Sequence, residues 1–345
     1  MRAVVFRQHG GLEVLEDAEV PDPKPKANEV LVRVRAVALN RLDLWVRTGW
    51  KGLKLPMPHI LGSDIAGTVV GLGAEVSDVT VGEDVVLGPG VGCGTCNTCL
   101  RGADNRCPRY HILGETTTGG YAELIAVPRR NVFKKPANLG FREAACLPLV
   151  FTTAWGMLVE RLRLQATDQV LVMAAGSGVG SAAIQIAKRF GATVYATASS
   201  AEKLERARQL GADHLINYST QDFAAEIYRL TDKRGVDVVF EHTGGDTFDK
   251  SIRSLAIGGT LITCGATSRP TAEIDIRRLF AKHLSLIGHT MGSLAAMEPI
   301  LREAAAGRFV PIFDRAFPLS AEGARAAQSV LLGRSQFGKV VLEPQ

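Results

Sequence analysis

Six short apolar runs alternate with helical patterns between residues 169 and 288, and this alternation limits the fold more than any other feature of the chain. Their spacing is typical of parallel strands joined by crossover helices, because each helix returns the chain to the same end of the sheet. The sequence therefore predicts an α/β, doubly wound parallel sheet. The predicted strands are residues 169–174, 193–197, 214–217, 236–240, 260–264 and 284–288.

The first 140 residues have a different pattern, in which alternating apolar and polar residues are broken by glycine and proline. This pattern favours short strands of a partly open barrel. The predicted strands are residues 29–39, 65–73, 83–88 and 119–127. We therefore expect three segments: a β-rich domain at 1–140, a cofactor domain at 141–290, and a C-terminal segment at 291–345 that returns to the first domain.

Composition excludes several classes of protein. The 345 residues are 46% hydrophobic and 22% charged, which is ordinary for a soluble chain with two cores. The net charge of +5 is mild and its basic residues are scattered, so we expect no nucleic-acid partner. No apolar stretch approaches the length of a membrane span. Cys146 and Cys264 lie in apolar surroundings, which favours a cytoplasmic protein with reduced thiols.

Four cysteines lie close together inside a glycine-rich segment at residues 88–107. Thiolates at this spacing predict a closed, structural Zn²⁺ site, which has no open position for a substrate. Disulfides and an iron–sulfur cluster are the alternatives. The adjacent C-x2-C spacings favour a metal, and nothing else in the chain suggests electron transfer. The predicted ligands are Cys93, Cys96, Cys99 and Cys107.

The first strand-to-helix junction of the predicted sheet is rich in glycine. Glycines there allow the backbone to approach a pyrophosphate, whose charge then faces the N-terminus of the following helix. The motif is G-x-G-x-x-S when counted from Gly176, or A-x-S-x-x-G when it ends at Gly180. A strand before it and a helix after it favour a dinucleotide site. The predicted contacts are Gly176, Ser177, Gly178, Val179 and Gly180.

The second predicted strand of the sheet indicates which nicotinamide cofactor binds. An NAD site usually has an acidic residue at the end of this strand, where it binds the ribose 2′-hydroxyl. Here Ser199 and Ser200 occupy that region and Lys203 follows. Two hydroxyls and a cation suit a 2′-phosphate, so the sequence favours NADP(H) over NAD(H).

With these motifs, the chain resembles the medium-chain dehydrogenase/reductase superfamily, which includes the zinc alcohol dehydrogenases and quinone oxidoreductases. The cysteine segment, the glycine-rich junction, LGSDIAGTV at 61–69 and the terminal FGKVVLEP carry the resemblance along the whole chain. It implies a GroES-like domain, a Rossmann domain, and an active site in the cleft between them. It also implies cofactor contacts at Tyr218, Gly265 and Lys339, and a nicotinamide contact at Thr153.

The catalytic zinc ligands of the alcohol dehydrogenases are missing from the positions that the resemblance assigns to them. Those positions fall at Asn40, Ser63 and Leu149, none of which is an effective zinc ligand. Asn40, Asp43 and Asp64 lie instead in motifs that resemble quinone oxidoreductases without catalytic zinc. The expected active-site residues are therefore Asn40, Asp43, Asp64 and Thr153, with the aspartates ordering the site loop more than exchanging protons.

Three functions are compatible with these features. The first is NADPH-dependent reduction of quinones or α,β-unsaturated carbonyls, enoyl thioesters included, because hydride addition to such carbons needs no Lewis acid. The second is an NAD(P)-dependent alcohol dehydrogenase with an atypical metal site or none. The third is a cofactor-binding protein without activity. The retained cofactor motifs favour an enzyme with a small-molecule substrate.

Two further features lead to expectations about chemistry and assembly. His111 and Glu115 follow the cysteine segment and are able to enter the site, although a surface-loop role is favoured. His59 is interpreted as part of a loop. The last predicted strand, within 284–292, is an apolar sheet edge, which favours a homodimer or homotetramer unless a helix or the C-terminal tail covers that edge.

Overall fold

A computed structural model describes residues 1–344 of the chain. The chain forms two compact units: residues 1–152 together with those from 293 onward, and residues 153–292. The α/β prediction, with a GroES-like domain and a Rossmann domain, is confirmed.

The first unit contains a seven-stranded sheet in the order β10-β6-β5-β3-β18-β17, in which β9 also pairs with β3. A three-stranded sheet has the order β2-β1-β4, and β7 pairs with β8. Up to residue 155 the strands are β1 (Arg2–Phe6), β2 (Glu16–Glu19), β3 (Glu29–Ala38), β4 (His59–Ile60), β5 (Asp64–Leu72), β6 (Asp84–Leu87), β7 (Gly90–Val91), β8 (His111–Ile112), β9 (Leu124–Pro128) and β10 (Val132–Lys134). The α-helices are α1 (Arg41–Thr48), α2 (Asn97–Leu100), α3 (Phe141–Ala145) and α4 (Pro148–Trp155), and 3-10 turns span Leu12–Val14, Asp104–Arg106 and Arg129–Asn131.

The second unit is a six-stranded parallel sheet in the order β13-β12-β11-β14-β15-β16. Its strands are β11 (Gln169–Val172), β12 (Thr193–Ala198), β13 (His214–Asn217), β14 (Val236–Glu241), β15 (Leu255–Thr263) and β16 (Ser285–Gly288). Its helices are α5 (Gly178–Arg189), α6 (Ala201–Gln209), α7 (Phe223–Leu230), α8 (Gly245–Arg253) and α9 (Ile276–Ala281), and a π-helical segment, Gly156–Arg161, continues α4.

The end of the chain belongs to the first unit. A 3-10 turn (Leu294–Ala296) leads into α10 (Met297–Ala305), followed by β17 (Phe313–Pro318), α11 (Ala321–Gly333) and β18 (Lys339–Glu343). Strand β18 is antiparallel to β3 and parallel to β17. It therefore becomes an interior strand of the large sheet, although it is the last element of the chain.

Local sequence explains where the helices of the second unit begin. The hydroxyls of Ser177 and Ser200 accept hydrogen bonds from the amides of Gly180 and Lys203, and so cap α5 and α6. The carboxylate of Asp222 caps α7 in the same way. The central strands are buried on both faces, as parallel strands covered by helices must be.

The division into units differs from the expected boundaries at both ends of the cofactor domain, which extends to residue 292. The expected cofactor domain begins at residue 141, whereas residues 141–152 pack in the first unit. Ala144 and Ala145 of α3 are buried against Ala36 and Ala66 of the large sheet. Small side chains on both sides permit this close approach. The local sequence gives no sign that α3 packs on the large sheet.

No helix within residues 1–344 is long and apolar enough to cross a membrane.

Candidate active site

The four clustered cysteines form a compact sulfur cage in the first unit. All four sulfur atoms lie within 4.8 Å of one another. The sulfurs of Cys93 and Cys99 are 3.9 Å apart, and those of Cys96 and Cys107 are 3.7 Å apart. The edge of a tetrahedron with zinc–sulfur bonds of about 2.3 Å is about 3.8 Å, so the cage fits Zn²⁺.

Hydrogen bonds favour the thiolate form at Cys93 and Cys96, whereas burial raises the pKa of Cys99 to about 11. The side-chain hydroxyl and backbone amide of Thr95 both donate to the sulfur of Cys93, and these bonds lower the pKa of that thiol to about 4. The amides of Cys93 and Arg109 donate to the sulfur of Cys107. Since thiolates are the form that binds metal, the donor set suits a closed structural zinc site.

A second cluster of polar side chains is buried where β3, β5 and β18 meet. Ala38, the last residue of β3, lies opposite Asp64 of β5 on one side and Val341 of β18 on the other. This register brings three side chains together: those of Asn40, which follows β3, Asp64, which begins β5, and Lys339, which begins β18. All three are less than one-tenth exposed.

The hydrogen bonds of this cluster fix the orientation of each group. The ammonium of Lys339 donates to Oδ1 of Asn40 at 2.5 Å and to Oδ2 of Asp64 at 2.7 Å. Because an ammonium can only donate, the amide oxygen of Asn40 must face it. The Nδ2 atom of Asn40 then donates to Oδ2 of Asp64 at 2.9 Å. The cluster is a buried salt bridge between Lys339 and Asp64, and the side-chain amide of Asn40 forms a hydrogen bond with each of them.

Asp43 organises the loop beside the cluster. Its carboxylate accepts hydrogen bonds from the amides of Asn40 at 2.6 Å and Gly62 at 3.0 Å, which ties the start of α1 to the residues before β5. Burial raises the pKa of Asp43 to about 6, although these hydrogen bonds and the charge of Lys339 oppose the rise. This position matches the expected loop-ordering role, which remains a prediction.

The residues at the expected metal-ligand positions supply few ligand atoms. The side-chain oxygen of Ser63 is fully buried and has no hydrogen-bond partner among residues 1–344. Leu149 reaches Asp64 only through its backbone amide, which donates to Oδ1 at 2.6 Å. Cys146 is buried nearby, and burial raises the pKa of its thiol far above the usual range. Thiolate, the form that binds metal, is therefore disfavoured at Cys146.

In the second unit, the glycine-rich segment forms the turn between β11 and α5. A side chain at Gly180 would place its Cβ 2.7 Å from the carbonyl oxygen of Ala174, so only glycine permits this packing of helix against strand. The amides of Gly178 and Val179 have no protein acceptor within the described residues. Free amides at a helix N-terminus are suited to a phosphate.

A histidine that was not among the predicted site residues contacts this turn. The Nε2 atom of His242, just after β14, lies 2.9 Å from the carbonyl oxygen of Met173 and 3.2 Å from the hydroxyl of Ser177. The neighbouring Glu241 accepts hydrogen bonds from Thr243, Thr247 and Ser251 and holds the segment after β14 in place. Glu241 and His242 stand at the carboxyl end of a central strand, where parallel sheets bind ligands, so the sequence could have identified them as site residues.

The residues expected to select the cofactor meet at the ends of β12 and β13. Ala198 pairs with Asn217, so Ser199 and Ser200 lie beside the segment that contains Tyr218. The amide of Tyr218 donates to Ala198, and the hydroxyl of Ser219 donates to the carbonyl oxygen of Ser199. Lys203 lies in the first turn of α6. No acidic side chain ends β12.

Thr153 and Gly265 lie in the second unit. The hydroxyl of Thr153 is buried and donates to the sulfur of Met291 at 3.7 Å. Gly265 follows β15, and a Cβ there would lie 3.0 Å from the carbonyl oxygen of His242. Thr263 donates to the carbonyl oxygen of Gly265. Their expected contacts with the cofactor remain predictions.

Comparison with known proteins identifies the family. The pattern described as "Zinc-binding dehydrogenase" matches residues 178–306, and the "Alcohol dehydrogenase GroES-like domain" matches residues 26–137. An NAD-dependent alcohol dehydrogenase from Saccharolobus solfataricus is 32% identical over the whole of both chains. The chain belongs to the medium-chain dehydrogenase/reductase family.

Other members of this dehydrogenase family are similar over nearly the whole chain. The quinone oxidoreductase of Pongo abelii is 30% identical and covers 99% of this chain and 97% of its own. A solved structure described as an NAD-dependent alcohol dehydrogenase is 48% identical, with a TM-score of 0.97 and full coverage of both chains. The protein is therefore an NAD(P)H-dependent oxidoreductase with a zinc site.

Lys339 is a predicted cofactor contact of this dehydrogenase whose side chain is buried. The resemblance implies a contact with the cofactor, which remains a prediction, and in the structure the ammonium is directed into the buried cluster. The sequence shows no sign of this, because Asp64 is 275 residues away along the chain.

His59, His111 and Glu115 remain outside the cluster. His59 contacts the carbonyl oxygen of Gly114, and burial lowers its pKa. The exposed His111 contacts the hydroxyl of Thr116. Burial raises the pKa of Glu115. Within residues 1–344, the cysteines form the one group of metal-binding side chains.

The sequence interpretation also missed Arg41, the first residue of α1. Its guanidinium is half-buried and has no hydrogen-bond or ion-pair partner among the described residues. Burial, and then the charge of Arg334, lower its pKa. The guanidinium groups of Arg41 and Arg334 are therefore close enough to repel one another.

Proposed function

We propose that the protein reduces quinones or α,β-unsaturated carbonyls, enoyl thioesters included, by hydride transfer from NADPH without a catalytic zinc. The observation that carries this proposal is the buried cluster of Asn40, Asp64 and Lys339. It supplies hydrogen-bond donors where the alcohol dehydrogenases of the family have a metal.

The cluster has more donors than acceptors. Both oxygens of Asp64 and the amide oxygen of Asn40 are already occupied. One hydrogen of the Lys339 ammonium, one of the Asn40 amide, and the hydroxyl of Ser63 have no acceptor among residues 1–344. Such a surplus complements a carbonyl oxygen that gains negative charge during reduction.

The same atoms are unsuited to Zn²⁺ as they stand. Catalytic zinc sites use three nitrogen, sulfur or carboxylate ligands, and here the assigned positions offer an amide, a hydroxyl and a leucine. The carboxylate of Asp64 is already held by three donors. Reduction of an activated carbon needs only polarisation of its carbonyl and a proton, whereas oxidation of an alcohol without a Lewis acid is harder.

NADPH, when bound, supplies the hydride. The amides at the start of α5 suit its pyrophosphate. Ser199, Ser200 and Lys203 suit a 2′-phosphate, and no carboxylate at the end of β12 repels one. The cofactor preference rests on these residues.

An alcohol dehydrogenase with an atypical metal site or none is the second candidate. The observation that favours it is the 48% identity to a structure described as an NAD-dependent alcohol dehydrogenase. The two candidates differ in metal content, since the reductase needs one zinc per chain and a metal-dependent alcohol dehydrogenase needs two.

The deciding experiment measures turnover of the purified protein with quinones, enones, enoyl thioesters and primary and secondary alcohols, with NADPH and NADH in parallel. The same preparation is analysed for zinc. Oxidation of NADPH by a quinone or an enone with one zinc per chain supports the proposal. Oxidation of alcohols with two zincs, and no reductase activity, would replace it with the second candidate.

We also propose that the protein is a homodimer, or a dimer of dimers, joined at β16. This strand lies at the edge of the six-stranded sheet, and its Leu286 and Ile287 are only half-buried. On the neighbouring α9, Ile276 and Phe280 are 71% and 68% exposed. An exposed apolar edge of this kind either pairs with a second copy of the chain or makes the protein prone to aggregation.

A further inference from the structure

The glycine-rich turn after β11 bends at a residue that is not glycine. Ala174 has a φ of 46°, in the left-handed region that alanine rarely adopts. The carbonyl oxygen of the preceding Met173 lies beyond the last residue of β11 and receives no backbone amide among residues 1–344. Because Met173 is fully buried, this oxygen needs a donor from elsewhere.

His242 supplies that donor. Its Nε2 atom lies 2.9 Å from the carbonyl oxygen of Met173. A carbonyl oxygen only accepts, so Nε2 carries a hydrogen in the tautomer that makes this bond. The imidazole is buried and meets the ring of Phe240 edge to face, with the ring centres 6.1 Å apart. The position of the Nε2 hydrogen is therefore fixed at the turn.

This hydrogen also determines what the hydroxyl of Ser177 can do. Nε2 lies 3.2 Å from the oxygen of Ser177, and because Nε2 carries a hydrogen, that oxygen accepts. The same oxygen accepts from the amide of Gly180 and so caps α5. The hydroxyl hydrogen of Ser177 is thus directed to neither partner and has no acceptor among the described residues.

The hydroxyl hydrogen joins two other donors at the start of α5. The amides of Gly178 and Val179 have no protein acceptor within residues 1–344. The carboxylate of Glu241, next to His242 in the chain, does not compete for them because it accepts from Thr247 and Ser251. Donors on three consecutive residues at the N-terminus of a helix are suited to phosphate oxygens.

We propose that His242 is a positioning residue for the cofactor, which makes the hydroxyl of Ser177 a donor to the cofactor's pyrophosphate. This inference rests on the proposed function, in which NADPH binds at this turn. In this role His242 acts through Ser177, by donating to its oxygen, and exchanges no proton with the substrate. The bond to Met173 holds the imidazole in the tautomer that this role requires.

Replacement of His242 should weaken both nicotinamide cofactors by the same factor. His242→Phe keeps an aromatic ring without a donor. We expect the dissociation constants of NADPH and NADH each to rise about tenfold, because both cofactors carry the pyrophosphate. His242→Gln keeps an amide donor on a side chain of similar reach and should recover most of the affinity. Fluorescence titration without substrate measures these constants.

The matched control is a histidine away from the turn. His283→Asn changes an exposed histidine whose φ is 53°, a conformation that asparagine tolerates. Both dissociation constants should stay at the wild-type value in this variant. Thermal unfolding without cofactor, measured on every variant, shows which of them are folded at the temperature of the titration.

A double-variant cycle distinguishes this role from general support of the turn. Ser177→Ala removes the hydroxyl and should also weaken both cofactors. Adding His242→Phe to Ser177→Ala should then change the dissociation constants by less than about twofold, because the two side chains act through one hydrogen bond to the cofactor. If His242 only supports the turn, the two losses multiply instead.

Unchanged affinities in His242→Phe, or losses that multiply in the double variant, would overturn the proposal. Should His242→Phe fail to fold, the remaining variants decide, since Ser177→Ala must weaken both cofactors alike and His242→Gln must bind them nearly as the wild type does. A wild type that binds both cofactors but reduces no quinone or enone would end the proposed function and leave this inference standing.

Discussion

The backbone amide of Leu149 donates to Oδ1 of Asp64 at 2.6 Å, although the side chain of Leu149 lies where the resemblance places a metal ligand. The position thus keeps a contact with the site while its side chain offers no ligand atom. The same carboxylate is held on its other oxygen by Asn40 and Lys339. Three donors therefore surround the carboxylate of Asp64.

Zinc content tests the cysteine cage. We expect one Zn²⁺ per chain, and Cys96→Ser should lose it because a closed site needs all four thiolates. Elemental analysis after gel filtration measures this. Cys146→Ser is the matched control and should keep its zinc, since that thiol is outside the cage. Two tightly bound ions, or none, in the wild type would contradict the prediction.

Hydride transfer should survive chelation. Brief treatment with a chelator that leaves the cysteine cage loaded should spare NADPH oxidation by a quinone, because the proposed site polarises its substrate with Asn40 and Lys339. Ser63→His should not create alcohol oxidation, since one imidazole cannot hold the ion. Activity that disappears on chelation with the fold intact, and returns with added Zn²⁺, would show that the site needs metal.

Lys203 should discriminate between the two nicotinamide cofactors. Lys203→Ala should weaken NADPH about tenfold or more and change NADH little, because only NADPH offers the 2′-phosphate to a cation. Dissociation constants from fluorescence titration check this. Arg229→Ala, which removes an exposed cation from α7, is the control and should affect neither cofactor. Equal affinities in the wild type would refute the preference.

Asp43 should make stability depend on pH. Its folded-state pKa of about 6 lies above that of an unfolded aspartate, so the folded protein binds this proton more tightly. Its contribution is present below about pH 4 and is lost as the pH rises through 6, by about 3 kcal/mol in total. Urea unfolding between pH 4.5 and 8 measures it. Asp43→Asn removes the charge and should flatten this part of the profile; an unchanged profile would contradict the assignment.

The edge strand should control assembly. A chain of 36.9 kDa that pairs through β16 should give twice that mass, or four times, in light scattering at micromolar concentration. Ile287→Lys should shift the mass toward the monomer, since a charge on a paired strand must be desolvated. Val81→Lys, at an exposed site in the first unit, should leave the mass unchanged. A monomeric wild type would contradict the proposal.

The sheet of the second unit was predictable because the residues that define each of its strands and helices are neighbours in the sequence. Each strand from β11 to β16 contains a short apolar run, and α5, α6 and α7 each begin at a side chain that caps them. The glycine-rich turn and the cysteine cage were predictable for the same reason, since their residues are neighbours in the chain.

Long-range packing explains what the sequence did not reveal. In the small sheet of β1, β2 and β4, strand β1 pairs with β4 across more than fifty residues, and β4 has only two residues. The inward direction of Lys339 depends on β18 pairing with β3, across some three hundred residues. A lysine side chain is ordinarily solvated, and only the register of three strands shows that this one is buried.

The placement of Lys339 in the last strand also sets an order of events during synthesis. A ribosome that adds about 10 residues per second needs about half a minute to move from Asp64 to Lys339, which is 275 residues later. Throughout that interval the strands that carry Asn40 and Asp64 exist without their cation. The large sheet of the first unit is therefore complete only once β18 has been synthesised, and until then Asp64 has no cation to neutralise it.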